Sequence, residues 1–120
     1  MRKQVVLVVD DDADLRASLA STLEDVGYEV KQASGGAEGV TMVRASPPDL
    51  ILLDLMMPDG NGWDVLKHLR AAAETVEVPV VIVSAYASAV PKGAIALLRK
   101  PVRRDDLIEA AAAHARAAGS

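Results

Sequence analysis

The chain has 120 residues, no cysteine and a formal net charge of −4. That length predicts one domain, over residues 1–120, able to bury a core without covalent staples, and the lack of cysteine excludes disulfide frameworks, thiolate zinc sites and thiol nucleophiles. The acidic balance argues against a general nucleic-acid binder, and no apolar stretch reaches membrane-spanning length, so neither nucleic acid nor a membrane is expected as a partner.

Hydrophobic residues make up 51% of the chain, yet Tyr28, Trp63 and Tyr86 are its only aromatics, so the core must be built from Val, Leu, Ile and Ala. Met1-Arg2-Lys3-Gln4 leads directly into Val5-Val6-Leu7-Val8-Val9, a mostly β-branched run that predicts a first strand. Asp10-Asp11-Asp12 close it; so short an apolar run ending in three acids is no signal peptide. Leu15, Leu19, Leu23 and Val26 recur at helical spacing, with Asp12 suited to cap that helix, Asp14 to its first turn and Gly27 to its stop. Tyr28 to Ala33 predicts a second strand. Gly35-Gly36 open a second helix with Ala37, Val40 and Val43, which Pro47-Pro48 end.

Leu50-Ile51-Leu52-Leu53 is apolar at every position, as a strand buried on both faces must be, and it ends in Asp54. Met57-Pro58-Asp59-Gly60-Asn61-Gly62 predicts a loop. A third helix is expected from about Trp63 to Ala73, with Leu66 and Leu69 inward. Val80-Val81-Ile82-Val83 predicts a fourth strand ending at Ser84, and Ile95 to Leu98 a fifth, followed by Arg99-Lys100-Pro101. The last helix is expected from about Arg104 to Ala117, rich in alanine. Between Ser84 and Gly93 a full helix is not expected, because Pro91 lacks an N–H and disfavours helix at Val90.

Strands alternating with helices predict a parallel α/β sheet. Right-handed crossovers and the flavodoxin-like doubly wound (βα)5 order 2-1-3-4-5 place strands one and three side by side, with a ligand crevice at their carboxyl ends. The fourth helix is expected to be shortened or irregular. In that order Asp10, Asp11 and Asp54 become neighbours, and Ser84 and Lys100 reach the same rim. Each residue also has an ordinary reading as cap, turn former, strand-end hydroxyl or surface lysine; it is their convergence that points to a site.

Three crowded carboxylates repel unless a cation compensates them. All-oxygen ligands favour a hard ion, Mg2+ before Ca2+, held by Asp10, Asp11, Asp54 and the Met56 backbone carbonyl. Beside such an ion Asp54 can act as a nucleophile toward a phosphoryl group, with Lys100 as cation and Ser84 as hydroxyl donor. Phosphoryl transfer asks mainly for positioning and charge neutralisation.

Four blocks, Val8-Val9-Asp10-Asp11, Leu53-Asp54-Leu55-Met56-Met57-Pro58, Val83-Ser84-Ala85 and Arg99-Lys100-Pro101, resemble the signature blocks of the response-regulator receiver domain of two-component signal transduction, in the chemotaxis-regulator-like superfamily. The resemblance covers essentially the whole chain in order and spacing. It implies that Asp54 accepts a phosphoryl group from a histidine kinase or histidine phosphotransfer protein with Mg2+. It implies that Ser84 and Lys100 sense the phosphate, and that a downstream protein reads the resulting population shift. It implies a cytoplasmic signalling protein that promotes only its own phosphorylation and dephosphorylation, and so not an enzyme acting on other substrates.

Three departures bear on output. The family's aromatic switch two residues before the Arg-Lys-Pro block is Leu97 here. The loop after Met57-Pro58 is a glycine-rich variant. Roughly two turns of the family's fourth helix have no residues to form them. A monomer is therefore expected, since the face the family commonly uses for dimers is cut down. Met56 and Tyr86, two residues beyond Asp54 and Ser84, cannot orient water, which predicts a long-lived phosphorylated state. Leu97 and the shortened segment favour an alternative, a receiver-like protein-binding scaffold that signals without phosphorylation; the intact acids and Lys100 oppose it. A magnesium phosphatase would want a second acid where Met56 stands, and no P-loop motif exists. His68 and His114 are expected on solvated helix faces.

Overall fold

Three apolar runs become the central strands of one parallel sheet, which a more polar second strand and a half-buried fifth strand flank. The computed structural model describes residues 2–58 and 62–117; the loop expected at Asp59-Gly60-Asn61 and the tail at 118–120 lie outside the described residues. The elements are β1 (Val5–Val9), α1 (Ala13–Asp25), β2 (Glu29–Ala33), α2 (Gly36–Ala45), β3 (Leu50–Leu53), α3 (Gly62–Ala71), β4 (Val80–Ser84), β5 (Ala96–Arg99) and α4 (Arg104–His114). The strand order is β2-β1-β3-β4-β5, as expected. Val9 pairs with Leu53 and Leu53 with Ile82, so β1 and β3 end in line while β4 runs two residues further, to Ser84.

The alternation of side chains divides the core in two. Leu7, Val9, Ile51, Leu53, Val80 and Ile82 pack with Val43, Val65, Leu66 and Leu69 of α2 and α3. Val6, Val8, Leu50, Leu52, Val81 and Val83 pack on the other face with Leu19 and Leu23 of α1 and Leu107 and Ala111 of α4. Every residue of β3 is buried, which is why its sequence shows no polar alternation. Truncating any of these leucines to alanine is expected to cost about 2–5 kcal/mol.

Local chemistry sets the ends of α1. The Asp12 side chain accepts N–H bonds from Asp14 and Leu15 at 3.0 and 3.1 Å, a cap that contributes about 1 kcal/mol. Gly27 leaves the helix at φ 104°, and the Tyr28 N–H returns to the Leu23 carbonyl. The last helix is shorter than expected, ending at His114. Its C-terminal segment turns back instead: the Arg116 N–H reaches the Asp49 carbonyl at 2.8 Å, and its guanidinium the Pro48 carbonyl at 2.9 Å. The fifth strand starts one residue later than expected, at Ala96, leaving Ile95 half-exposed.

The β4–β5 connection carries no helix. Its Ala87 and Ala94 pack against the core on the α2–α3 face. Arg70, at the end of α3, holds it in place. Its guanidinium donates to the carbonyls of Gly93 (2.7 Å), Val76 (2.7 Å) and Val78 (2.8 Å), tying the β4–β5 loop to the α3–β4 loop. No helix among the described residues is long and apolar enough to cross a membrane.

Candidate functional site

The carboxyl ends of β1 and β3 carry two buried acids, Asp10 and Asp54, which are 2% and 4% exposed. Each is fixed by its own backbone. The Asp10 N–H donates to the Ala33 carbonyl of β2 and the Asp54 N–H to the Val9 carbonyl of β1. Their side chains are then held by the turns that follow. Asp10 Oδ1 accepts the Asp12 N–H at 2.9 Å, and Asp54 Oδ1 accepts the Met56 N–H at 3.1 Å. The second oxygen of each faces Lys100, whose Nζ lies 3.1 Å from Asp10 Oδ2 and 3.5 Å from Asp54 Oδ2. The Asp10 contact is a pairing of charges rather than a well-aligned hydrogen bond.

Lys100 reaches this point because β5 ends beside β4: Ser84 pairs with Arg99, and the Lys100 N–H donates to the Ser84 carbonyl at 3.1 Å. The peptide bond that follows Lys100, to Pro101, is cis. Ser84 is buried at the same rim, but its side chain is engaged locally. Its Oγ accepts the N–H groups of Tyr86 and Ala87 at 3.2 and 3.4 Å. Asp11 is exposed, yet it offers an oxygen to the group: one carboxylate oxygen each from Asp10, Asp11 and Asp54 lie within 4.8 Å of one another.

The electrostatics follow from burial and charge. Burial pushes the Asp54 carboxyl above its ordinary value; the Met56 N–H opposes this, the Asp10 charge adds to it, and Lys100 counters it. Burial pulls the Lys100 ammonium down, but the Asp10 and Asp54 carboxylates more than offset this, leaving it raised. Three close carboxylates with one lysine make a donor set of hard oxygens suited to a divalent cation.

Asp10, Asp11, Asp54 and Lys100 are thus brought together. Met56 adjoins them through its N–H, with its side chain 61% exposed. Ser84 stands next to the group, tied to it through the backbone of Lys100. Two participants were not foreseen. Arg16 donates to the Asp10 carbonyl at 2.7 Å, and only its helical spacing from Asp12 hinted at an inward turn. Trp63 lines a crevice of about 500 Å³ with Asp11, Met56, Met57 and Pro58, beside the acids.

Comparisons with known proteins agree with this arrangement. A family model described as the response regulator receiver domain matches residues 6–112. Protein PilH of Pseudomonas aeruginosa is 34% identical over 110 residues, covering 87% of this chain and 91% of PilH. The DNA-binding response regulator MtrA of Mycobacterium tuberculosis is 38% identical over 112 residues, 88% of this chain; the chain spans about half of MtrA, 48% of its length. Among solved structures, the chemotaxis protein CheY4 of Vibrio cholerae superposes with a TM-score of 0.87 at 27% identity, covering 94% of this chain and 99% of that one. A sheet of order 2-1-3-4-5, acids at the ends of its first and third strands and a family match over most of its length lead to one assignment: the chain belongs to the response regulator receiver domain family.

Proposed function

We propose that the protein is a phosphorylation-dependent signalling receiver in which Asp54 takes a phosphoryl group from the phosphohistidine of a histidine kinase or histidine phosphotransfer protein, with Mg2+. One observation carries this reading. Asp54 lies at the end of a buried strand with a carboxylate oxygen within 4.8 Å of oxygens from two further acids, and its Oδ2 is 3.5 Å from an ammonium. In the transfer, an Asp54 carboxylate oxygen forms the new P–O bond as the donor's P–N bond breaks, and the released imidazole nitrogen takes up a proton. Asp10, Asp11, Asp54 and the Met56 carbonyl would hold the Mg2+, which when bound supplies neutralising charge for the phosphoryl oxygens.

The chain's own residues do the positioning. The Met56 N–H fixes one Asp54 oxygen and so presents the other. Lys100 gains the phosphoryl oxygens as a new partner. The Ser84 Oγ acts as acceptor in both of its bonds, which leaves its O–H free to donate to the phosphate. We place the protein in the cytoplasm, consistent with the absence of cysteine, and read it as a monomer whose phosphorylation changes the binding of a downstream protein. It acts only on its own phosphorylation state.

The scaffold reading, binding partners without phosphorylation, draws on Leu97 and the helix-free β4–β5 connection. Both features concern output and leave the acceptor group intact. Incubation with phosphoramidate and Mg2+, followed by intact-mass measurement, separates the two. The expected result is one hydroxylamine-labile phosphoryl group, absent in Asp54→Asn. Labelling of that variant at the wild-type rate would overturn the acceptor assignment, and an unlabelled wild type would favour the scaffold.

A further inference from the structure

A second hollow shares Trp63 with the crevice beside the acids. It is a groove of about 650 Å³ between α3 and the β4–β5 connection, lined by Trp63, Leu66, Lys67, Arg70, Ala71, Lys92 and Gly93. It exists because of the connection itself. Each of the other crossovers in this sheet lays a helix on one of its faces, whereas the β4–β5 crossover lays only loop on the α2–α3 face. The side of α3 that a further helix would cover is left open, and Trp63 is 50% exposed there.

Charge narrows the occupant. The chain as a whole carries −4, yet the residues lining the groove include three cations and no carboxylate. Arg70 is already engaged by loop carbonyls. Lys67 and Lys92 are both exposed, one on each side of the apolar floor. A surface with an apolar floor, an aromatic wall and two basic rims takes an amphipathic helix with acidic residues flanking its apolar stripe.

We propose that this groove is a docking site for an acidic amphipathic helix of a partner protein, which takes the place left open by the helix-free β4–β5 crossover, with its apolar stripe on Trp63 and Leu66 and its carboxylates on Lys67 and Lys92. The proposal goes beyond the phosphoacceptor reading and does not depend on it.

The test uses the full chain and two synthetic peptides of about four helical turns. Both carry Leu at i, i+3, i+4 and i+7; one has Glu at the flanking positions, the other Lys. Binding is read from backbone and indole amide shifts, Trp63 being the single tryptophan. The net charge of the chain favours the Lys peptide, whereas the groove favours the Glu peptide. The expected result is that the Glu peptide binds at least about tenfold tighter, shifting the Trp63 indole and residues of α3. The exposed double substitution Lys67→Glu with Lys92→Glu should abolish that preference. Equal or tighter binding of the Lys peptide, no binding of either, or unchanged binding in the double variant would overturn the proposal. So would shifts at Trp63 that grow with protein concentration alone, which would assign the groove to a second copy of the chain.

Discussion

Gly62, the first residue of α3, offers the sharpest test of how the fold positions the acceptor. A Cβ added there would collide with the Asp54 carbonyl oxygen and would lie 2.7 Å from Leu55 Cα and 3.0 Å from the Asp54 carbonyl carbon. All three are backbone atoms, so no side-chain rotation relieves the clash. Ordinary contact starts at 3.4 Å, so the Leu55 backbone must retreat by about 0.7 Å, and Asp54 further. The overpacking in Gly62→Ala should cost about 1–3 kcal/mol. A stiffer unfolded chain returns about 0.4–1 kcal/mol of that. The net loss of about 1–2 kcal/mol raises the unfolded fraction roughly 5–30-fold. The catalytic effect should be larger than the loss of fold explains, because the displaced segment is the one that carries the acceptor. A misplacement of about 1 Å costs on the order of 10²-fold in rate, so labelling by phosphoramidate should slow by about 10–100-fold under conditions where the variant is folded. Urea denaturation and single-turnover labelling measure the two effects. A variant as stable as wild type, or a destabilised one that labels at the normal rate, would refute the argument.

Lys100→Met leaves Asp10 and Asp54 facing each other without a cation, and should lower stability at neutral pH by up to about 3 kcal/mol, most of it restored by Mg2+; urea curves with and without the ion check this. The Asp54 carboxyl is raised in the folded state, so its contribution is fully present below its ordinary 3.8 and lost as pH rises through its folded value. Relative to wild type, metal-free Asp54→Asn should therefore gain stability between acid and neutral pH, and a difference that stays flat across that window would contradict the burial argument. Arg70→Ala removes four carbonyl contacts at once and should cost about 2–3 kcal/mol, with amide exchange rising in the β4–β5 loop ahead of the strands; uniform exchange across the molecule would count against its role as a loop clamp. Met56→Asn puts an amide able to orient water beside Asp54, and should speed loss of the phosphoryl group, followed by intact mass over time; unchanged decay would reject that reading.

The central strands β1, β3 and β4 were legible because their burial on both faces leaves no room for polar alternation, and Asp10 and Asp54 because each ends such a run. The strand order then placed Asp10 beside Asp54 without any further information. Local rules also sufficed for the Asp12 cap and for the helix-free stretch around Pro91. What escaped was long-range. Arg70 sits in the last turn of α3, where a basic residue is ordinary, and nothing local shows that carbonyls from two loops converge on it. The alanine-rich end of α4 promised helix to Ala117, but Arg116 finds better partners at Pro48 and Asp49. Asp49 itself, 2% exposed and paired with Arg2 and the Val5 N–H, sits where the sequence shows only an acid ahead of an apolar run. Ser84 stands at the expected rim; what the sequence did not show is that its oxygen also accepts the amides of the turn that follows it.

Trp63 belongs to two hollows at once, the crevice beside Asp11 and the groove beside Lys67 and Lys92. One ring cannot hold two orientations together, so whatever fixes it from one side sets the shape offered on the other. Linkage then runs both ways with a single coupling factor: if a phosphoryl group on Asp54 tightens a ligand in the groove, that ligand holds the phosphoryl state in the same proportion. A downstream partner seated there would not merely receive the signal. By its concentration alone it would help set how much of the protein remains switched on.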